Sequence, residues 1–159
     1  LHFDVLDLSS WSPLSELLTG REDKIRAIYL ATPPALFGPV AQDRANFVAF
    51  NTGNIQTLHP FACTLLGMGE DGHFASLFPD SPELEEGLSS ETETVKVTTP
   101  SSAYNRTSAT LNTICDSDLI ILLIFGNVKK NIVEAAAGYP INHVLSQEQT
   151  PVRIIWAPT

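Results

Sequence analysis

The run Leu119–Phe125, LIILLIF, sets seven apolar residues side by side without a polar break. A strand with one wet face alternates apolar and polar positions, whereas a strand covered on both faces is apolar throughout. Seven residues are far short of the roughly 18 that a membrane-spanning helix needs. The run is therefore expected as the central strand of a mostly parallel sheet. Gly126 ends it, and Val128–Ala137 reads as the next helix, closed by Gly138.

Other segments fit around that strand. Ile25–Ala31 (IRAIYLA) and Ala62–Leu66 are further buried strand candidates, and Phe47–Phe50 is a short one. Val144–Leu145 and Val152–Trp156 (VRIIW) supply the last β material, while Val95–Thr98 and Thr107–Leu111 also have β character. Thr32-Pro33-Pro34 breaks the first candidate, and proline in a first helical turn lets Ala35–Gln42 open a short helix. Asn51–His59 is polar and reads as loop, and Asp80–Thr94 as an acidic loop with one helical turn around Pro82–Gly87. Strands alternating with helices give the α/β class, a mostly parallel open sheet with flanking helices. With 159 residues and neither an internal repeat nor a linker, residues 1–159 are expected to form a single α/β domain.

Composition removes several function classes. Nine Lys and Arg stand against eighteen Asp and Glu, a net charge of −9, so neither nucleic acid nor an anionic membrane is an expected partner. Cys63 and Cys115 are the only cysteines and lie beside or within apolar stretches, so they are expected as buried thiols in a reducing, cytoplasmic setting. The N-terminus shows no basic-then-apolar secretory signal, and the sequon Asn105-Arg106-Thr107 is read as a chance match. The chain starts at Leu1 rather than methionine and runs at once into Phe3–Leu8, as a fragment or processed chain does.

The chemistry concentrates in residues 62–79, ACTLLGMGEDGHFASLFP. An apolar strand runs into Gly67-Met68-Gly69-Glu70-Asp71-Gly72, and His73–Leu77 is expected as a short helix stopped near Pro79. Strand, GxGxxG and helix is also the dinucleotide-binding order. Glu70 and Asp71, however, put two carboxylates where a pyrophosphate would sit. From Ala45 to Val95 there are eight Asp or Glu and no Lys or Arg, so a nicotinamide cofactor is disfavoured. The favoured reading is a catalytic turn at the carboxyl end of a strand. Its glycines allow close backbone approach, and free N–H groups at a helix start favour developing negative charge. His73 then has the right chemistry for a general base, and Asp71 for orienting the imidazole or the water.

LGMGEDGHFASLFP closely resembles the signature of the 6-phosphogluconolactonases. Arg106-Thr107 with its β segment, Phe125-Gly126-Asn127-Val128-Lys129, and Pro151-Val152-Arg153-Ile154-Ile155-Trp156 extend the resemblance over about residues 45–159. Related amino-sugar phosphate deaminases and isomerases continue the turn with an aromatic–Asn–Glu–Pro pattern, which Ser76-Leu77-Phe78-Pro79 lacks. Two departures stand out. Phe74 occupies a position where the family has a small hydroxyl residue. The family's N-terminal third, with a Gly-Gly-Ser-Thr phosphate loop and an Asp-Glu-Arg segment, has no counterpart, and Asp43-Arg44 is no convincing substitute. Residues 1–44 are thus atypical. Phe3–Gln42 faintly resembles part of the nucleotide-binding domain of glucose-6-phosphate dehydrogenase, which suggests fusion or association with that enzyme.

The resemblance implies cytoplasmic hydrolysis of a phosphorylated sugar lactone in the pentose phosphate pathway, without a cofactor. His73 would be the general base and Asp71 its orienter. Gly67, Gly69 and Gly72 would approach the substrate, with N–H groups around Gly69 and Gly72 holding the carbonyl oxygen. Arg106 and Lys129 would bind the phosphate, with Lys130 a weaker candidate. No GxSxG elbow is present, and His2, His59, His73 and His143 show no ligand spacing such as HxxxH. The absent phosphate loop leaves a second expectation: an inactive fragment or chimera that keeps the fold as a binding module.

Overall fold

Ile120, Leu122 and Ile124 are fully buried on one face of a strand, and Ile121 is as deeply buried on the other. Side chains alternate across a strand, so an all-apolar sequence needs cover on both sides. This computed structural model describes residues 3–5, 28–30, 52–100, 104–135 and 137–158. Its strands are β1 (Phe3–Val5), β2 (Ile28–Leu30), β3 (Cys63–Leu66), β4 (Thr94–Val97), β5 (Arg106–Ala109), β6 (Ile120–Phe125) and β7 (Val152–Ala157). Its helices are α1 (Thr52–Ile55), α2 (Leu84–Ser89), α3 (Leu111–Cys115), α4 (Gly126–Glu134) and α5 (Ile141–Ser146).

Five strands form one sheet in the order β1-β7-β6-β3-β2, every pair parallel. Thr64 pairs with Ile120, and Ile120 with Val152, so β6 lies between β3 and β7. β4 and β5 form a separate antiparallel pair, with Val97 opposite Arg106. The larger core joins Leu66, Ile120, Leu122, Ile124 and Ile154 to residues from β4, β5, α3, α4 and α5. A smaller cluster on the other side contains Cys63, Leu65, Leu119, Ile121 and Ile155. The α/β class and the central place of the LIILLIF strand therefore stand.

Several local expectations change. Val144 belongs to α5 rather than to a strand: Ile141 and Val144 are spaced by three and both fully buried, a helical pairing. β5 ends at Ala109 because Thr110 is an N-cap, its Oγ1 accepting the Thr113 N–H at 3.3 Å and starting α3. Thr52–Ile55 within the expected loop is a single helical turn. Of the Ile25–Ala31 candidate the structure describes Ile28–Leu30, while Ala35–Gln42 and Phe47–Phe50 lie outside the described residues.

Candidate active site

No helix follows the glycine turn. Phe74 forms antiparallel bridges with Met68 and Leu77, and Ala75 adopts a positive φ of 48°. The Ser76 N–H donates to the buried Ser108 Oγ at 3.1 Å rather than to a helical carbonyl. Phe74 and Leu77 are fully buried, so core packing overrides any helical tendency here. Phe74 therefore serves the core. The free helical N–H groups expected at His73 are consequently absent.

A tight loop takes their place. Gly69 N–H donates to the His73 carbonyl at 2.9 Å, and Gly72 N–H to the Gly69 carbonyl at 3.1 Å. These two amides are thus spent inside the turn, so of the N–H groups expected around Gly69 and Gly72 their own are already engaged. A Cβ at Gly69 would overlap His73 Nδ1 and Asp71 Oδ1, so this position must be bare for the pair to meet. Gly72 has φ +76°, and a Cβ there would stand 2.6 Å from Tyr139 Cβ. The Gly72 carbonyl also accepts the Ile141 N–H at 3.0 Å, tying the turn to the start of α5. At Gly67 nothing lies within 4 Å of a notional Cβ, leaving open space beside the backbone.

This frame brings His73 and Asp71 together. His73 Nδ1 lies 2.6 Å from Asp71 Oδ1, and the same oxygen accepts the His73 backbone N–H at 3.2 Å. An ionised carboxylate only accepts, so in the neutral imidazole this contact places the hydrogen on Nδ1 and the lone pair on Nε2. Both side chains remain partly exposed, so water reaches them.

The expected cations belong to other elements. Arg106, first residue of β5, sets its guanidinium carbon 5.5 Å from the centre of the Phe78 ring. The Phe78 ring in turn stacks on His73 with centroids 4.3 Å apart. Lys129 lies in the first turn of α4, at the carboxyl end of β6 and hence the same sheet end as the turn after β3. Lys130 is engaged elsewhere, over the Trp156 ring at 4.5 Å and 3.9 Å from Glu134. Gly126, with φ +82°, makes the sharp turn from β6 into α4, and its carbonyl accepts the Trp156 indole N–H at 3.1 Å. Among the described residues, no three His, Cys, Asp or Glu side chains gather as a metal-holding group.

Sequence reasoning missed Phe78, Tyr139 and Ser108. Phe78 sat within the quoted motif without a role. Tyr139 and Ser108 act across 67 and 32 residues of chain, and only the fold joins them to the turn.

Comparison with known proteins fits this arrangement. Residues 23–158 match the family described as glucosamine-6-phosphate isomerases/6-phosphogluconolactonase. A 6-phosphogluconolactonase of Caulobacter vibrioides is 38% identical over 130 residues, covering 78% of this chain and 55% of that protein. The human GDH/6PGL endoplasmic bifunctional protein is 43% identical over 72 residues, 45% of this chain and 9% of that protein. The crystal structure of a 6-phosphogluconolactonase from Shewanella baltica superposes with a TM-score of 0.60 at 31% identity, covering 65% of this chain and 48% of the other. The chain spans about half the length of the curated relatives it matches. The α/β sheet, the glycine turn with its His–Asp contact, and the match across residues 23–158 together establish that the chain belongs to the glucosamine-6-phosphate isomerase/6-phosphogluconolactonase family.

Proposed function

We propose that this chain carries the hydrolytic core of a 6-phosphogluconolactonase, opening 6-phospho-D-glucono-1,5-lactone to 6-phosphogluconate. The observation that carries the reading is the His73–Asp71 contact of 2.6 Å on the turn after β3. Ligands of open α/β sheets bind beyond the carboxyl ends of the strands, and that turn begins there. His73 Nε2 takes a proton from water as its oxygen bonds to the lactone carbonyl carbon. The tetrahedral oxyanion then collapses, the ring C–O bond breaks, and the imidazolium returns the proton to the departing ring oxygen. Asp71 holds the imidazole in the tautomer this requires and stabilises its cationic form. Arg106 and Lys129 bind the phosphate dianion, focusing positive charge in a chain of net charge −9.

The pentose phosphate pathway is the metabolic setting of this reading. The burial of Cys63 and Cys115 supports a reducing compartment such as the cytoplasm. Burial pushes the Cys115 thiol up to about 11, which makes it a poor nucleophile at neutral pH. The likeness to a bifunctional human protein supports fusion or association with a glucose-6-phosphate dehydrogenase unit.

The test is acid release from freshly prepared lactone, measured against its spontaneous opening. His73→Ala retaining activity within about tenfold of the parent would overturn the general-base role, since tenfold is only about 1.4 kcal/mol of barrier. Arg106→Ala is expected to weaken 6-phosphogluconate binding and flatten its salt dependence, and unchanged values would remove Arg106 from the phosphate site. A second reading rests on the half-length match: a binding module that holds the sugar phosphate without turnover. It is favoured if 6-phosphogluconate binds while the lactone opens no faster than in buffer.

A further inference from the structure

We propose that Phe78 is a positioning residue whose ring couples the base to the phosphate-binding cation, a role that rests on the lactonase reading above. His73 and Arg106 come from different sheets: one follows β3 of the parallel sheet, the other opens β5 of the antiparallel pair. The Phe78 ring touches both, 4.3 Å from the imidazole centroid at an interplanar angle of 36°, and 5.5 Å from the guanidinium carbon.

The ring is itself immobilised. Phe78 is only 6% exposed and belongs to the larger core. Its carbonyl accepts the Ser81 N–H at 3.2 Å, and Leu77 beside it donates to the Phe74 carbonyl at 2.9 Å. Asp71 fixes His73 at one atom, Nδ1, which still allows the ring plane to swing about that contact. A flat, buried neighbour removes the swing and so fixes where Nε2 points. The same ring offers its electron-rich face to the Arg106 cation at the exposed start of β5. An anion that draws on Arg106 therefore changes the cation's pull on Phe78, and His73 registers the change through the shared ring.

The test uses the whole chain, with Phe78→Met as a non-aromatic replacement of similar bulk, Phe78→Leu as a second, and Phe78→Tyr as the conservative control. Phe78→Met is expected to lower kcat about tenfold by loosening the base, and to raise KM about threefold by taking the aromatic face away from the guanidinium. Phe78→Tyr is expected to restore both to within about threefold, as the aromatic contact persists. A merely structural role would reduce the folded fraction and leave KM unchanged, and that result overturns the proposal.

An activity-independent arm separates this proposal from the lactonase reading. Inorganic phosphate is titrated while the His73 imidazole signals are followed by NMR. A shift in the parent and in Phe78→Tyr, lost in Phe78→Met and Phe78→Leu, supports coupling even if no variant opens the lactone. No response in the parent, or an equal response in all four proteins, means that the ring transmits nothing and overturns the proposal. An inactive parent with a ring-dependent shift overturns the lactonase reading alone.

Discussion

Two His–Asp pairs occupy opposite ends of the parallel sheet, and their local chemistry is nearly the same. His73 Nδ1 meets Asp71 at the carboxyl end of β3, with side-chain exposures of 28% and 40%. His59 Nδ1 meets Asp116 ahead of β3 and β6, with exposures of 27% and 40%. Neither burial nor the contact itself tells them apart. Their surroundings do. His73 is stacked on Phe78 beside Arg106 and sits in a turn shaped by glycines. Among the described residues, the ring beside His59 is a tilted Phe61 at 6.3 Å, and the neighbouring contacts are backbone ties between strand starts: Phe61 N–H to the Asp116 carbonyl at 2.9 Å and Asp118 N–H to the Phe61 carbonyl at 2.8 Å. On the proposed reading, the first pair serves catalysis because a cation stands beside it. On that reading the second pair, among the backbone ties described above, is a fastening.

The largest expected effect separates the two pairs by activity. His73→Ala should cut lactone hydrolysis by about 10²- to 10⁴-fold, whereas His59→Ala should leave turnover per folded molecule unchanged. A comparable loss in both would erase the distinction. Gly72→Ala comes next. Its φ of +76° and the overlap with Tyr139 should cost about 1–3 kcal/mol in denaturant unfolding, together with activity, because the distortion falls on the turn itself. Asp116→Ala should cost less, about 0.5–1 kcal/mol given its exposure, and should leave KM untouched. A changed KM would move the His59 pair into the site.

The smallest effect concerns a carboxylate near neither pair. Glu83 is held below its ordinary 4.5 by the Thr98 backbone N–H, with the Ser81 hydroxyl and the Thr98 hydroxyl adding to it. Its folded value is depressed, so its contribution is present above 4.5 and fades as pH falls through the folded value. Glu83→Gln should therefore narrow the gap in stability between pH 6 and pH 3, read by thermal unfolding. An unchanged gap would show that this clamp on β4 contributes nothing.

Which of these features the sequence could reveal follows from chain separation. The His73–Asp71 pair spans two residues, so its partners stand side by side in the motif and the chemistry could be read directly. The His59–Asp116 pair spans 57 residues and left no trace. The β6 strand was legible because seven consecutive apolar residues admit one solution, a strand buried on both faces. The helix expected after Gly72 was not found because Phe74 and Leu77 are drawn into the core and Ser108 captures the Ser76 amide. Val144 was misassigned for a related reason: two apolar residues carry no period, and only the burial of Ile141 reveals the helical spacing. That the Gly69 and Gly72 amides are engaged within the turn was not legible in the sequence, because only the folded turn shows which carbonyls they reach.

The indole of Trp156 donates to the Gly126 carbonyl while Lys130 rides over its ring, so a natural fluorophore is wired to the helix start that carries Lys129. Trp11 is the only other tryptophan, and replacing it with phenylalanine would leave a single emitter. Quenching or a spectral shift from that emitter would report the arrival of an anion at α4 in real time, without a label and without waiting for product.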